Sequence, residues 1–177
     1  MLKVKVNLAS NFNPKRLEKL KEAISLTERV VNSDEFKKMI LSHNYWYSTG
    51  RLWWKKWYNP KAFRWNLGYT NQGVYDKIMS GAEVLSPEKD AEIDVDIECV
   101  VARHNGVLGF TYPNTLRTYV YSWFFDSADL PDLVGNIVHE WCHKIGFGHE
   151  YRNTALRQYT VPYAVGYIAE GVARRML

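Results

Sequence analysis

With 177 residues, of which 46% are hydrophobic and 24% charged, the chain has enough apolar material for one packed domain with at most a small attached lobe. A net charge of +4, spread along the chain, allows a nucleic-acid partner without requiring one. Two cysteines, Cys99 and Cys142, are too few for a disulfide framework, and no apolar run approaches the roughly 20 residues that span a bilayer. The two cysteines could pair or stay reduced; as free thiols they would behave as small core residues, which is the reading taken here.

The first residues alternate charged and apolar side chains and predict a strand at Lys3–Leu8. No apolar segment follows the lysines, so the start does not read as a signal peptide and the expected compartment is the cytoplasm. Asn13-Pro14 reads as a cap with proline in the first turn of a helix reaching about Val31, with Leu17, Leu20, Ile24 and Val31 on one face. Ser33 can cap a second helix that carries Asp34 and Glu35 in its first turn and Phe36 and Ile40 on one side. A stretch from Asn44 to Tyr69 is dense in Trp, Tyr and Lys/Arg, and Thr70 or Asn71 then starts a short helix with Val74, Ile78 and Met79.

From Ile93 to Phe125 the chain reads as extended. Ile93, Val95, Ile97 and Cys99 alternate with Asp94, Asp96 and Glu98, the pattern of a half-buried strand. Asn105-Gly106 is a two-residue hairpin signal, Leu108–Tyr112 the returning strand, and Thr118–Phe124 another strand. There is no internal repeat and no low-complexity linker. The order predicts an α+β fold with a mixed sheet.

The chemistry is concentrated in Val138-His139-Glu140-Trp141-Cys142-His143-Lys144-Ile145-Gly146-Phe147-Gly148-His149, which contains H-E-x-x-H-x-x-G-x-x-H in full. On a helix, His139 and His143 stand one turn apart on the same face and can reach one metal ion. Glu140 is offset by about 100° and can approach a water on that metal. Gly146 can adopt positive φ and stop the helix, so that the chain folds back and brings in His149 as third ligand. Three protein ligands and one open position make a catalytic zinc site rather than a structural one. Leu130, Leu133, Val134, Ile137, Val138, Trp141 and Ile145 centre on the opposite face, while Asp132 and Asn136 continue the polar line of the histidines. Chance assembly of these five residues at these offsets is on the order of one in 10⁵ for a chain this long.

The eleven-residue motif resembles the signature of the metzincin metallopeptidases. The resemblance implies a metzincin-like zincin: one catalytic domain over 1–177, with a mixed twisted sheet, a backing helix and an active-site helix in an upper lobe (1–149). A small lower lobe (150–177) would end in a final helix. It implies one catalytic Zn²⁺, a peptide or protein substrate, and hydrolysis by a zinc-bound water that Glu140 activates; a monomer is expected. Pro14–Val31 would be the backing helix. Leu108-Gly109-Phe110-Thr111-Tyr112 would be the cleft-edge strand on which substrate pairs as an added strand, with Thr118–Phe124 next inward. The family's methionine turn has no counterpart, since the only methionine after His149 is Met176, within the expected final helix. Tyr159-Thr160-Val161-Pro162-Tyr163 would form the equivalent turn, with Val161 or Pro162 as its apolar floor. Tyr163, and less directly Tyr159, could donate a hydrogen bond to the oxyanion; either could instead simply pack in the lower lobe. Cys142 reads as a small core residue, and His43 and His104 show no partner spacing.

Tyr45-Trp46-Tyr47, Arg51-Leu52-Trp53-Trp54-Lys55-Lys56-Trp57-Tyr58 and Phe63-Arg64-Trp65 interleave aromatic and basic residues. Such a stretch could stack on bases or sugars or lie on a membrane surface. The favoured reading is that it fills a core while Lys and Arg reach outward, since a small domain needs large apolar side chains. The alternative to a peptidase is therefore a zinc-containing binding module for nucleic acid or glycan that uses residues 45–65.

Overall fold

The sheet is organised around β2 (Glu92–Val100), which alternates as the sequence predicts: Ile93, Val95, Ile97 and Cys99 are buried, and the acidic residues between them stay partly exposed. The computed structural model describes residues 1–45, 69–102, 106–112, 114–149 and 154–177. In it β2 lies between β1 (Lys3–Ser10) and β4 (Arg117–Tyr121) and runs parallel to both. β3 (Gly109–Thr111) pairs antiparallel with β4, which gives a four-stranded mixed sheet of order β1-β2-β4-β3.

Helix starts follow local capping chemistry. α1 (Pro14–Val31) begins with the Asn13 side chain accepting from the Arg16 N–H at 2.9 Å. It buries Leu20, Ala23, Leu26, Thr27, Val30 and Val31 and packs on β1. α2 (Asp34–Ser42) is capped by Ser33, and α3 (Asn71–Met79) by Thr70. α4 (Ser122–Ser127) is short. α5 (Leu130–Lys144) opens with a reciprocal capping box between Asp129 and Asp132 and carries Pro131 in its first turn. After a 3-10 helix at Arg157–Tyr159, α6 (Val161–Met176) closes the described chain. No helix among the described residues is long and apolar enough to cross a membrane.

α5 packs its apolar face against the core, with Trp141 only 1% exposed and its indole N–H donating to the Ile78 carbonyl at 3.4 Å. Its other side meets α6 at two glycines. A Cβ at Gly135 would lie 3.1 Å from the Gly166 carbonyl, and one at Gly166 would lie 3.0 Å from the Gly135 carbonyl. The two backbones therefore approach more closely than side chains would permit, and α6 lies directly beside His139.

Two sequence expectations are corrected. Leu108–Tyr112 does not return against the 93–99 strand: β2 has parallel neighbours on both sides, so the partner of β3 is β4. The β3–β4 hairpin closes with the Thr115 N–H donating to Tyr112 at 3.2 Å. Gly106 does take positive φ (+78°), while Asn105 lies outside the described residues. The strand expected over Thr118–Phe124 ends at Tyr121, and α4 follows. Phe124 and Phe125 are adjacent yet both buried, and Phe125 meets Phe12 edge-on at 5.1 Å. A strand would send neighbours to opposite faces, whereas a helical turn lets both point inward.

Candidate metal centre

The first two ligand positions follow from α5 itself. His139 and His143 are four residues apart, and their rings lie 5.0 Å apart by centroid. The third depends on how the helix stops. Gly146 adopts φ +98°, its N–H bonds the His143 carbonyl at 3.0 Å, and the Phe147 N–H bonds Cys142 at 2.8 Å. This is a Schellman turn with glycine in the left-handed position. It reverses the chain and brings the His149 ring to 4.8 Å from His143 and 5.3 Å from His139. One ligand atom from each of the three histidines lies within 4.8 Å of the others, close enough to hold one metal ion.

The same turn orients His143: its Nδ1 lies 2.9 Å from the Phe147 carbonyl, which directs Nε2 toward the shared site. The Pro162 backbone acts on His139 as an acceptor that favours its N–H. Burial, then repulsion from His143 and His149, hold His139 well below the usual imidazole range, and burial lowers His143 despite the Phe147 carbonyl. Both rings are therefore neutral near pH 7 and present lone pairs, as metal ligation requires. The donor set fits a divalent ion that accepts imidazole nitrogen.

Glu140 is 4% exposed, and one carboxylate oxygen, Oε2, has no hydrogen-bond partner. The Thr111 hydroxyl favours the charged carboxylate, and lies 3.1 Å from the Thr118 hydroxyl. Burial pushes the carboxyl up to about 7, opposed by the Thr111 hydrogen bond. Such a group can exchange a proton near neutrality. A cleft of about 760 Å³ opens over these residues, walled by β3 on one side and by Tyr163, Gly166 and Tyr167 of α6 on the other.

The expected cleft-edge residues divide. Gly109, Phe110 and Thr111 line the cleft, and β3 is the last strand of the sheet among the described residues. Tyr112 instead borders a neighbouring groove with Val84, Leu85 and His143. Tyr163 lines the cleft, its ring 4.6 Å from His139 and 4.8 Å from His149. Tyr159 is 42% exposed and stacks on His43 at 6.4 Å, outside the cleft lining. Val161 and Pro162 are buried, but they form the first turn of α6 rather than a separate loop before it. Cys142 is fully buried, its thiol pushed up by burial and by Glu140, and both cysteines are free. His104, and the aromatic stretch beyond Tyr45, lie outside the described residues.

Sequence reasoning missed the link from Thr111 to Glu140, since which strand face meets the helix depends on tertiary packing. It also missed Arg157, a cleft residue in a stretch without periodicity. No family model, no curated protein and no solved structure matches this chain, so its chemistry is read from its own residues.

Proposed function

We propose that the chain is a zinc-dependent endopeptidase similar to the metzincins, with His139, His143 and His149 as zinc ligands and Glu140 as general base and acid. The observation that carries this is the convergence of three histidines beside a buried carboxylate that keeps one oxygen unpartnered, at the foot of a cleft walled by an edge strand. Zinc bound by three imidazoles supplies Lewis acidity toward water and toward a substrate carbonyl. β3 offers a backbone edge on which an extended peptide can pair, laying its scissile bond over Glu140. Glu140 Oε2, which has no hydrogen-bond partner, is the oxygen that would take a proton from the attacking water and pass it to the leaving amine. Tyr163 stands beside two of the ligands, where its hydroxyl can donate to the developing oxyanion.

The test compares wild type and Glu140→Ala, both loaded with zinc, on a diverse peptide library read by mass spectrometry. Products from the wild type alone, with zinc stoichiometry equal in both proteins, support the assignment. Equal cleavage by both, or none by the wild type, refutes it.

A further inference from the structure

The described arginines follow one pattern, with an exception in the cleft. Arg16 meets Asp126 at 2.6 Å, Arg117 meets Glu98 at 2.8 Å, and Arg175 meets Glu35 at 2.6 Å. Arg174 is paired with Asp129, Asp132 and Glu170. Arg29 is exposed to solvent. Arg157 is partly buried, its Nε is buried without a hydrogen-bond partner, and among the described residues no carboxylate pairs with it.

Its position gives this meaning. The guanidinium lies 4.6 Å from the centroid of the Tyr163 ring, and Tyr163 in turn packs on His139 and His149. Arg157 is the only Lys or Arg among the described residues that line the cleft. The carboxylates there do not pair with it: Asp132 and Glu170 are held by Arg174, and Glu140 forms no ion pair among the described residues. A buried Nε–H without an acceptor is costly, and the planar fork of a guanidinium matches a carboxylate through two parallel hydrogen bonds. A purely structural arginine would be expected to have a carboxylate beside it, as four of the others do.

We infer that Arg157 is a specificity residue of the cleft that reads a carboxylate carried by the substrate, supplied either by an acidic side chain or by a free C-terminus. This rests on the peptidase reading of the same site. Two ring contacts, each under 5 Å, separate Arg157 from the metal ligands. At about 3.3 Å per extended residue, the carboxylate therefore belongs within roughly three positions of the scissile bond.

Binding is measured without turnover, by fluorescence anisotropy on zinc-loaded Glu140→Ala protein. Three sets of fluorescein-labelled octapeptides serve as probes: neutral with an amidated C-terminus, amidated with one Glu moved through the positions, and neutral with a free C-terminal carboxylate. One carboxylate set is expected to bind about tenfold or more tighter than the neutral amidated set. Adding Arg157→Gln should abolish that advantage while changing neutral-peptide affinity by less than about twofold, and Arg157→Lys should retain part of it. Which set loses its advantage identifies the source of the carboxylate. In the parent protein, added NaCl should weaken the favoured set alone, a readout that needs no Arg157 variant. Equal binding of all three sets, or an advantage that survives Arg157→Gln, overturns the inference. If the wild type still cuts neutral peptides, the peptidase reading stands without it; if no peptide is bound or cut, both fall.

Discussion

Replacing Gly146 by Ala tests whether the turn after α5 both ends the helix and holds a ligand. At φ +98° an L-residue is strained by about 1–2 kcal/mol, and the added Cβ would lie 3.0 Å from Val84 Cγ2. Val84 is 54% exposed and can give way, so the expected total is about 2 kcal/mol. For a domain of this size that lowers the Tm by roughly 4–8 °C. Gly106→Ala is the control: φ is +78°, but nothing lies within 4 Å of its Cβ, so only the backbone strain of about 1 kcal/mol remains. The variants should differ further in metal binding. A shifted Phe147 carbonyl no longer fixes His143, and losing such an orienting partner weakens metal affinity by about 10- to 100-fold. Circular dichroism melts of the metal-free proteins and a competitive zinc titration measure both effects. A Gly146→Ala protein that melts within about 1 °C of the parent would refute the strain argument. Equal loss of zinc affinity in both variants would refute the positioning argument.

Lys144 and Glu83 form an ion pair at 2.6 Å with each side chain 3% exposed, and Lys144 also donates to the Asp94 carbonyl. Lys144→Met should cost about 3–5 kcal/mol in urea unfolding by stranding Glu83, and the double variant with Glu83→Leu should recover most of it. Asp126 is held below the usual carboxylate range chiefly by its hydrogen bonds from Arg16, at 2.7 and 2.6 Å. Its contribution is present above the ordinary carboxyl pKa of 3.8 and is lost as pH falls through the lower folded value. Arg16→Met should thus cost about 0.5–1 kcal/mol near pH 6, discounted for exposure, and nothing near pH 2; a cost that stays constant with pH would contradict the assignment. Thr111→Val should lower kcat about tenfold on any peptide the wild type cuts, with zinc content unchanged, because Glu140 loses the hydroxyl that favours its charged form. Unchanged kcat would show that Thr111 does not position the carboxylate.

What the sequence made legible was local. Asn13, Ser33 and Thr70 each cap the helix expected of them, because a cap depends on a side chain and an N–H three residues on. The alternation in β2 and the spacing of His139, His143 and Gly146 were equally readable, since periodicity fixes which face each residue occupies. Pairing partners were not readable. A turn signal at Asn105-Gly106 says that the chain reverses but not against which strand; the order with β3 at the edge and β4 next inward came only from the family resemblance, and the sheet has that order. Trp123, Phe124 and Phe125 suit strands by propensity, and burial of adjacent rings overrides it. Arg157 reaches the cleft only because the 3-10 helix and α6 place it over Tyr163, and nothing in its sequence neighbourhood announces that.

On the metzincin-like reading proposed above, the missing methionine can be understood from how the three histidines are held. His143 is oriented by the Phe147 carbonyl, and the acceptor that acts on His139 is the Pro162 backbone, so both groups belong to the main chain. The Phe147 carbonyl is placed by the glycine turn, and Pro162 by the start of α6, which Thr160 ties down by accepting from the Ala164 N–H at 2.8 Å. The close crossing of α5 and α6 at Gly135 and Gly166 then fixes that start against His139. Each link is backbone geometry, which does not depend on the side chain at position 161 or 162. Val161 is fully buried. Ligand orientation therefore requires no sulfur beneath the site, and the demand falls on the two glycines instead: a Cβ at Gly166 would lie 3.1 Å from that of His139 and act directly on the first ligand.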